Sequence, residues 1–187
     1  VHDSAVRLIE IVNDFLDTSR LELGRIEFKK EKFDISDLVT EVIKEYKMAE
    51  EGQILYLKYL STDQALPLVL ADRNRAKQVI INLVSNALKF TEKGGVTITS
   101  LVSDNIVKIL VSDTGRGIAE VNQNLLFRKF QQAGESLLTR DTTRGTGLGL
   151  YISRLMVEGM GGIIKLEKSE EGVGSVFSIS LPRADTV

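Results

Sequence analysis

The sequence predicts an α+β fold: a two-layer α/β sandwich with a mixed, mainly antiparallel sheet, preceded by one long helix. Three observations predict it. "VTITSLV" and "IVKILVSD" are strand-like runs joined by Ser103-Asp104-Asn105, and "IIKLEKS" and "SVFSISLP" are joined through a turn at 172–174. Apolar residues at three-and-four spacing mark helices before and between these pairs. The 187 residues, 43% hydrophobic and 27% charged, have globular composition, with room for one core and a modest appendage.

The elements follow in order. Residues 2–22 place Ala5, Leu8, Ile9, Val12, Phe15, Leu16 and Leu23 on a narrow apolar seam, suited to pairing with other helices, and Gly24 ends the pattern. "RIEFKKEKFDI" alternates like a strand, and its charge suits an edge or linker over 25–33. Asp34, with Asp37 three residues on, resembles a capping box opening a helix through Lys47. "ILYLKYL" (54–60) and "LVLAD" (68–72) read as strands, and Asp72 is a fair N-cap for a long helix ending near Phe90. Gly94-Gly95 is a hairpin signal. Residues 113–147 lose periodicity, and so long an aperiodic stretch inside a compact domain suggests a functional lid. "LGLYISRLMVEGM" is a helix closed by Gly161-Gly162.

Charge and composition exclude several classes. A net charge of −2 gives no long-range pull toward nucleic acid or anionic membrane. Cysteine is absent, which removes disulfides and thiolate metal sites. No apolar run approaches the roughly 18 residues of a membrane span. The chain opens at Val1 in helical sequence, which reads as a segment of something longer, so a membrane anchor elsewhere in a parent protein stays open.

Three stretches carry chemistry. In "NLVSNALKFT" (82–91), helical spacing stacks Asn82, Asn86 and Lys89 on one face of an otherwise apolar helix. Buried amides and ammonium groups cost free energy unless something satisfies them, so the stripe needs a partner. In "SDTGRGI" (112–118), Asp113 ends a strand, and Gly115 and Gly117 permit a sharp turn and close approach of backbone to a ligand. In "RGTGLGL" (144–150), Gly145, Gly147 and Gly149 open a helix, where exposed N–H groups suit an anion. A plain turn explains the second stretch alone and a hinge explains the third. Neither spells a Walker phosphate loop or G-x-G-x-x-G, and the eukaryotic protein-kinase set is missing.

Taken in order, "NLVSNALKFT", "DTGRGI", "LFRKF" and "GTGLGL" closely resemble the N, G1, F and G2 boxes of bacterial two-component sensor histidine kinases, within the GHKL ATPase superfamily. The resemblance runs from about Phe33 to Pro182, and residues 8–39 look like the last helix of the dimerisation hairpin and its connection onward. It implies a Bergerat-type ATP-binding fold and three parts. These are a partial hairpin helix (1–24), a linker or edge strand (25–33), and a catalytic domain (34–187) with an ATP lid at about 119–146.

The resemblance also implies roles. ATP and Mg²⁺ would face the polar stripe, with Asn86 offering its side-chain oxygen to the ion, Lys89 neutralising phosphate charge and Asn82 supporting the site one turn earlier. Phe90 would pack near the nucleotide, and a core aromatic is an equal alternative. Asp113 would accept from the adenine amino group, where guanine presents an oxygen that a carboxylate repels. Gly115, Gly117 and Ile118 would wall the base. Gly145, Thr146, Gly147, Leu148 and Gly149 would line the phosphates with backbone donors. Arg140 and Arg144, in the lid, would steady the transferring phosphoryl group, with a solvated arginine as the alternative. Ser175 would reach adenine through water, against the alternative of a plain strand serine.

The implied activity is transfer of the γ-phosphoryl group to a histidine on the dimerisation hairpin, then onward to a response regulator, in a cytoplasmic homodimer. Related ATPases begin the helix motif with a glutamate that activates water. Here that place is Asn82, and an amide cannot take a proton. A GHKL-type ATPase and a nucleotide-binding regulatory module that never transfers phosphate are the alternatives. One feature departs from the family: the only histidine, His2 in "VHDSAVR", lacks the acceptor's context. The chain is therefore expected to bind Mg-ATP without labelling itself.

Overall fold

The structure is a computed structural model that describes residues 12, 15–16, 18–49, 55–61, 65–131 and 147–185. Helical residues 18–22 close at Gly24, whose φ is 62° and whose N–H donates to Leu21 O at 3.1 Å. Of the predicted strand at 25–33, only β1 (Glu31–Phe33) is extended and paired. Helix α1 (Ile35–Ala49) starts where predicted, with Asp34 Oδ1 accepting the Ser36 N–H at 2.7 Å. Next come β2 (Tyr56–Leu60), β3 (Val69–Ala71) and helix α2 (Arg73–Lys89).

Asp72 caps α2 as expected, its Oδ1 accepting the Arg75 N–H at 3.1 Å. Its other oxygen accepts the Lys29 N–H at 3.0 Å, so one largely buried carboxylate joins the linker to the helix start. The chain continues through β4 (Gly95–Ser103), β5 (Ile106–Asp113), the short helix α3 (Glu120–Gln123), α4 (Gly149–Gly159), β6 (Ile163–Glu170) and β7 (Gly174–Pro182).

A five-stranded sheet has the order β2-β4-β5-β7-β6, parallel between β2 and β4 and antiparallel elsewhere. β1 and β3 form a separate two-stranded sheet. The predicted mixed, mainly antiparallel architecture is present. The Gly94-Gly95 hairpin is not. Its upstream neighbour is helix α2, and the strand that pairs alongside Gly95 is β2, in parallel. The glycine serves close approach instead: a Cβ at Gly95 would lie 2.0 Å from Tyr56 O. The β4–β5 turn does form at Ser103-Asp104-Asn105, with Asp104 at φ 40°, a left-handed conformation that aspartate tolerates better than most residues.

Alternation along the strands decides which face is covered. Ile98 pairs with Val111, Ile109 with Ile179 and Ile164 with Ile179, and all are buried beneath the helices. Helix α1 contributes Ile35, Leu38, Val39 and Val42, α2 contributes Val79, Ile80, Leu83 and Val84, and α4 contributes Ile152, Met156 and Val157. Each such side chain stabilises the fold by about 1.5–3 kcal/mol. This core pins α2 and α4 side by side over the sheet. No described helix is long and apolar enough to cross a membrane.

Candidate functional site

The polar stripe of α2 faces α4. Asn82 Nδ2 donates to Ser153 Oγ at 2.8 Å, and Asn86 Nδ2 donates to Asn82 Oδ1 at 3.3 Å. Asn82 thus has both ends of its amide engaged, while Asn86 keeps its carbonyl oxygen for a ligand. Gly149 lies against this ladder, since a Cβ there would sit 2.8 Å from Asn82 Oδ1. Lys89 is exposed, and its Nζ lies 5.7 Å from the Phe90 ring centre; the Arg116 guanidinium carbon lies 4.8 Å from the same ring. Phe90 is half-buried between two cations.

The end of α2 is stitched to the loop after β5. Phe90 O accepts the Arg116 N–H at 3.2 Å, and Arg116 O accepts the Gly172 N–H at 2.7 Å. Thr114 Oγ1 donates to Lys93 O at 2.8 Å. Space here is tight: a Cβ at Gly115 would meet Phe90 O at 2.3 Å, and one at Gly117, where φ is 68°, would meet Glu170 O at 2.0 Å. At the root of this loop, Asp113 Oδ1 accepts N–H bonds from Gly115 at 2.8 Å and Ser175 at 3.2 Å. Burial pushes its carboxyl pKa up, and those two N–H bonds oppose the rise. Both bonds fall on one oxygen, which leaves Oδ2 as the acceptor for a ligand donor.

The loop wall continues through Ile118. Its N–H donates to Ser169 Oγ at 2.9 Å, and its carbonyl accepts from Gln123 Nε2 at 2.9 Å. Ser169 Oγ lies 2.9 Å from Ser175 Oγ. The structure therefore brings Asp113, Gly115, Gly117, Ile118 and Ser175 into one wall, joined to the helix carrying Asn82, Asn86, Lys89 and Phe90. At the start of α4, Gly149 lies against that helix and Gly147 against the backbone of Phe130 and Gln131. Leu148 is fully buried in the core, so a role for it belongs to its backbone. Arg140, Arg144, Gly145 and Thr146 lie outside the described residues, as do His2 and the rest of residues 132–146.

Within the described part of the aperiodic stretch, Phe127 packs edge-on against Phe177 at 6.4 Å, and Lys129 Nζ lies 2.5 Å from Glu22 Oε1. The Tyr151 hydroxyl donates to the same Glu22 oxygen, so the helical residues before Gly24 are tied to both α4 and the lid root. These partners hold the Glu22 carboxyl below its usual range.

Sequence reasoning missed Ser153, Ser169 and Arg116. A signal existed for Ser153, which is one buried serine on the apolar stripe of α4, four residues after Gly149. Ser169 carried none, because a serine in a strand is commonplace. Among the described residues, no group of three or more His, Cys, Asp and Glu could hold a metal. An ion at Asn86 would take its remaining oxygens from a ligand and water.

Comparison with known proteins gives a consistent result. The family model described as "Histidine kinase-, DNA gyrase B-, and HSP90-like ATPase" matches residues 71–185. The circadian input-output histidine kinase CikA of Synechococcus elongatus is 39% identical over 184 residues, covering 97% of this chain and 24% of that protein. The histidine protein kinase DivJ of Caulobacter vibrioides is 37% identical over 183 residues, covering 97% and 30% respectively. The chain thus spans about a quarter to a third of these relatives. Full-length ShkA in complex with AMPPNP superposes with a TM-score of 0.84 at 32% identity, covering 97% of this chain and 37% of ShkA. The catalytic domain of the histidine kinase ThkA, nucleotide-free, gives 0.69 at 33%, covering 84% of this chain and 97% of that domain.

Proposed function

The chain belongs to the histidine kinase-, DNA gyrase B- and HSP90-like ATPase family, as the ATP-binding catalytic domain of a sensor histidine kinase, and from that premise we propose how its residues act. It transfers the γ-phosphoryl group of ATP to a histidine on the dimerisation hairpin of the same protein, for onward transfer to a response regulator. One juxtaposition carries this reading. The half-engaged carboxylate of Asp113 sits on a loop bonded through Arg116 N–H and Phe90 O to the helix that bears the asparagine ladder.

Asp113 Oδ2 accepts from the exocyclic amino group of the base, while Gly115 and Gly117, packed against Phe90 O and Glu170 O, set the path of the wall that carries Ile118. Asn86 Oδ1 would hold Mg²⁺, a ligand type that suits a hard cation, and the ion would supply neutralisation of phosphate charge. Lys89 adds positive charge at the exposed end of the stripe. By motif likeness, the N–H groups of Gly145, Thr146, Gly147, Leu148 and Gly149 would serve phosphate, and Arg140 and Arg144 would steady the transferring group.

Asn82 favours transfer over hydrolysis. Its amide oxygen accepts from Asn86, its nitrogen donates to Ser153, and neither atom can act as a base toward water. An imidazole acceptor needs little activation, which suits a site without a general base. The proposed setting is cytoplasmic, in a parent that dimerises through the seam on residues 5–23. The test is a titration with ATP and Mg²⁺, followed by transfer to a separately made hairpin from the same parent. Saturable Mg-dependent binding with label on the hairpin supports the proposal; binding without label on any acceptor reduces it to a regulatory module.

A further inference from the structure

Ser169 is outside the roles given above, yet its hydroxyl touches three parts of the base wall. Its Oγ accepts the Ile118 N–H at 2.9 Å, lies 2.9 Å from Ser175 Oγ, and lies 3.3 Å from Gly174 O. Ser175 is 5% exposed, and its own N–H donates to Asp113 Oδ1. The pair is a consequence of register: Ser169 and Ser175 face each other across the β6–β7 hairpin.

A hydroxyl has one proton to donate and two lone pairs that accept. The Ile118 N–H takes one lone pair of Ser169. Gly174 O can only accept, so a bond there uses the single proton of Ser169. The other lone pair of Ser169 then takes the proton of Ser175. Under this count every group is satisfied, and Ser175 turns only lone pairs toward the ligand. In the opposite arrangement Ser169 gives its proton to Ser175, the Gly174 contact is lost, and Ser175 has a proton to offer a ligand oxygen.

Resting on the function proposed above, we propose that Ser169 is a positioning residue for base selection: by taking the Ser175 proton it makes the base wall present acceptors at both Asp113 and Ser175. Such a wall matches a base bearing an amino group, or a water that donates on its behalf. It rejects a base with a carbonyl oxygen at that place, because acceptors then face acceptors in a partly buried pocket.

The test compares direct binding of ATP and inosine triphosphate, whose base carries an oxygen in place of the amino group, with Mg²⁺ present throughout. Ser169→Ala frees the Ser175 proton, and the ATP preference falls by about threefold to tenfold, chiefly through tighter inosine triphosphate binding. Ser169→Thr keeps the hydroxyl and retains the preference. Removing the second hydroxyl as well, in Ser169→Ala with Ser175→Ala, takes away the new donor and abolishes the gain for inosine triphosphate. A purely structural role for Ser169 would weaken both nucleotides alike, and an unchanged ratio in Ser169→Ala would overturn the inference. A parent chain that binds ATP and inosine triphosphate equally, with Asp113→Asn making no difference, would instead overturn the reading of Asp113 on which it rests.

Discussion

The two glycine-bearing stretches beside α2 are built differently. The loop after β5 is closed by backbone: Phe90 O, Glu170 O and the N–H groups of Gly115, Arg116 and Gly172 set its path. The stretch opening α4 meets softer neighbours. A Cβ at Gly147 would be 3.1 Å from Gln131 O, and one at Gly149 would meet the Asn82 side-chain oxygen. One end of the proposed nucleotide site is locked by backbone contacts that leave no space for a Cβ, and the other meets a side-chain amide at Gly149 and longer loop contacts at Gly147. That division suits the proposed function, in which a base is read reproducibly and a product is released after each transfer.

Substitutions can break or sharpen this contrast. The largest effect is expected from Gly117→Ala, where a left-handed φ of 68° combines with a 2.0 Å contact to backbone. Thermal unfolding should register a loss of about 3 kcal/mol, and an unchanged melting temperature would mean the loop is not backbone-locked. Asn86→Ala comes next. Magnesium-dependent ATP affinity should fall by on the order of 100-fold with the circular dichroism spectrum intact, and an unaltered titration would remove Asn86 from the metal's ligands.

Asp113→Ala should cut the preference for ATP over GTP by on the order of tenfold, measured as a ratio of dissociation constants. Retained selectivity would move the base reader elsewhere. Gly147→Ala should cost less, about 1–2 kcal/mol for the strain of its φ of 73°, because the Phe130 and Gln131 backbone at 3.1–3.3 Å need give by only a fraction of what the 2.0 Å contact at Gly117 demands. A loss as great as at Gly117 would erase the distinction between the two stretches.

The smallest effect is a pH dependence. Burial raises the folded-state pKa of Asp113, so its contribution to stability is fully present below the unfolded pKa and is lost as pH rises through the folded one. Asp113→Asn removes that loss. The melting temperature of the variant minus that of the parent should therefore increase from about pH 4 to pH 7, and a flat difference would contradict the burial argument.

Local signals in the sequence identify most of the fold. Asp34 and Asp72 cap the helices they precede because a carboxylate before an amphipathic run satisfies early N–H groups without help from distant residues. Gly94-Gly95 misleads for the converse reason. Its partner strand begins at Tyr56, nearly forty residues upstream, and a close approach over that separation leaves no mark that differs from a turn. The pairing of β1 with β3 is hidden in the same way.

For the site, residue types and order pointed to Asn82, Asn86 and Asp113, and the structure places them on neighbouring elements. The engaged state of each amide was not legible. For Asn82 it depends on Ser153, and the engagement of the Asp113 carboxylate likewise depends on Ser175, both supplied by elements far along the chain. The roles of Arg140, Arg144, Gly145 and Thr146 remain proposals drawn from motif likeness.

The double engagement of Asp72 has a mechanical consequence. Helix α2 is a stiff rod, and Asn82 lies roughly 15 Å along it from Asp72 at 1.5 Å per residue. Because one carboxylate grips both Lys29 N–H and the first turn of α2, a twist arriving along the linker is applied to the near end of that rod. The far end, bearing Asn86 and Lys89, must follow or the buried grip must break.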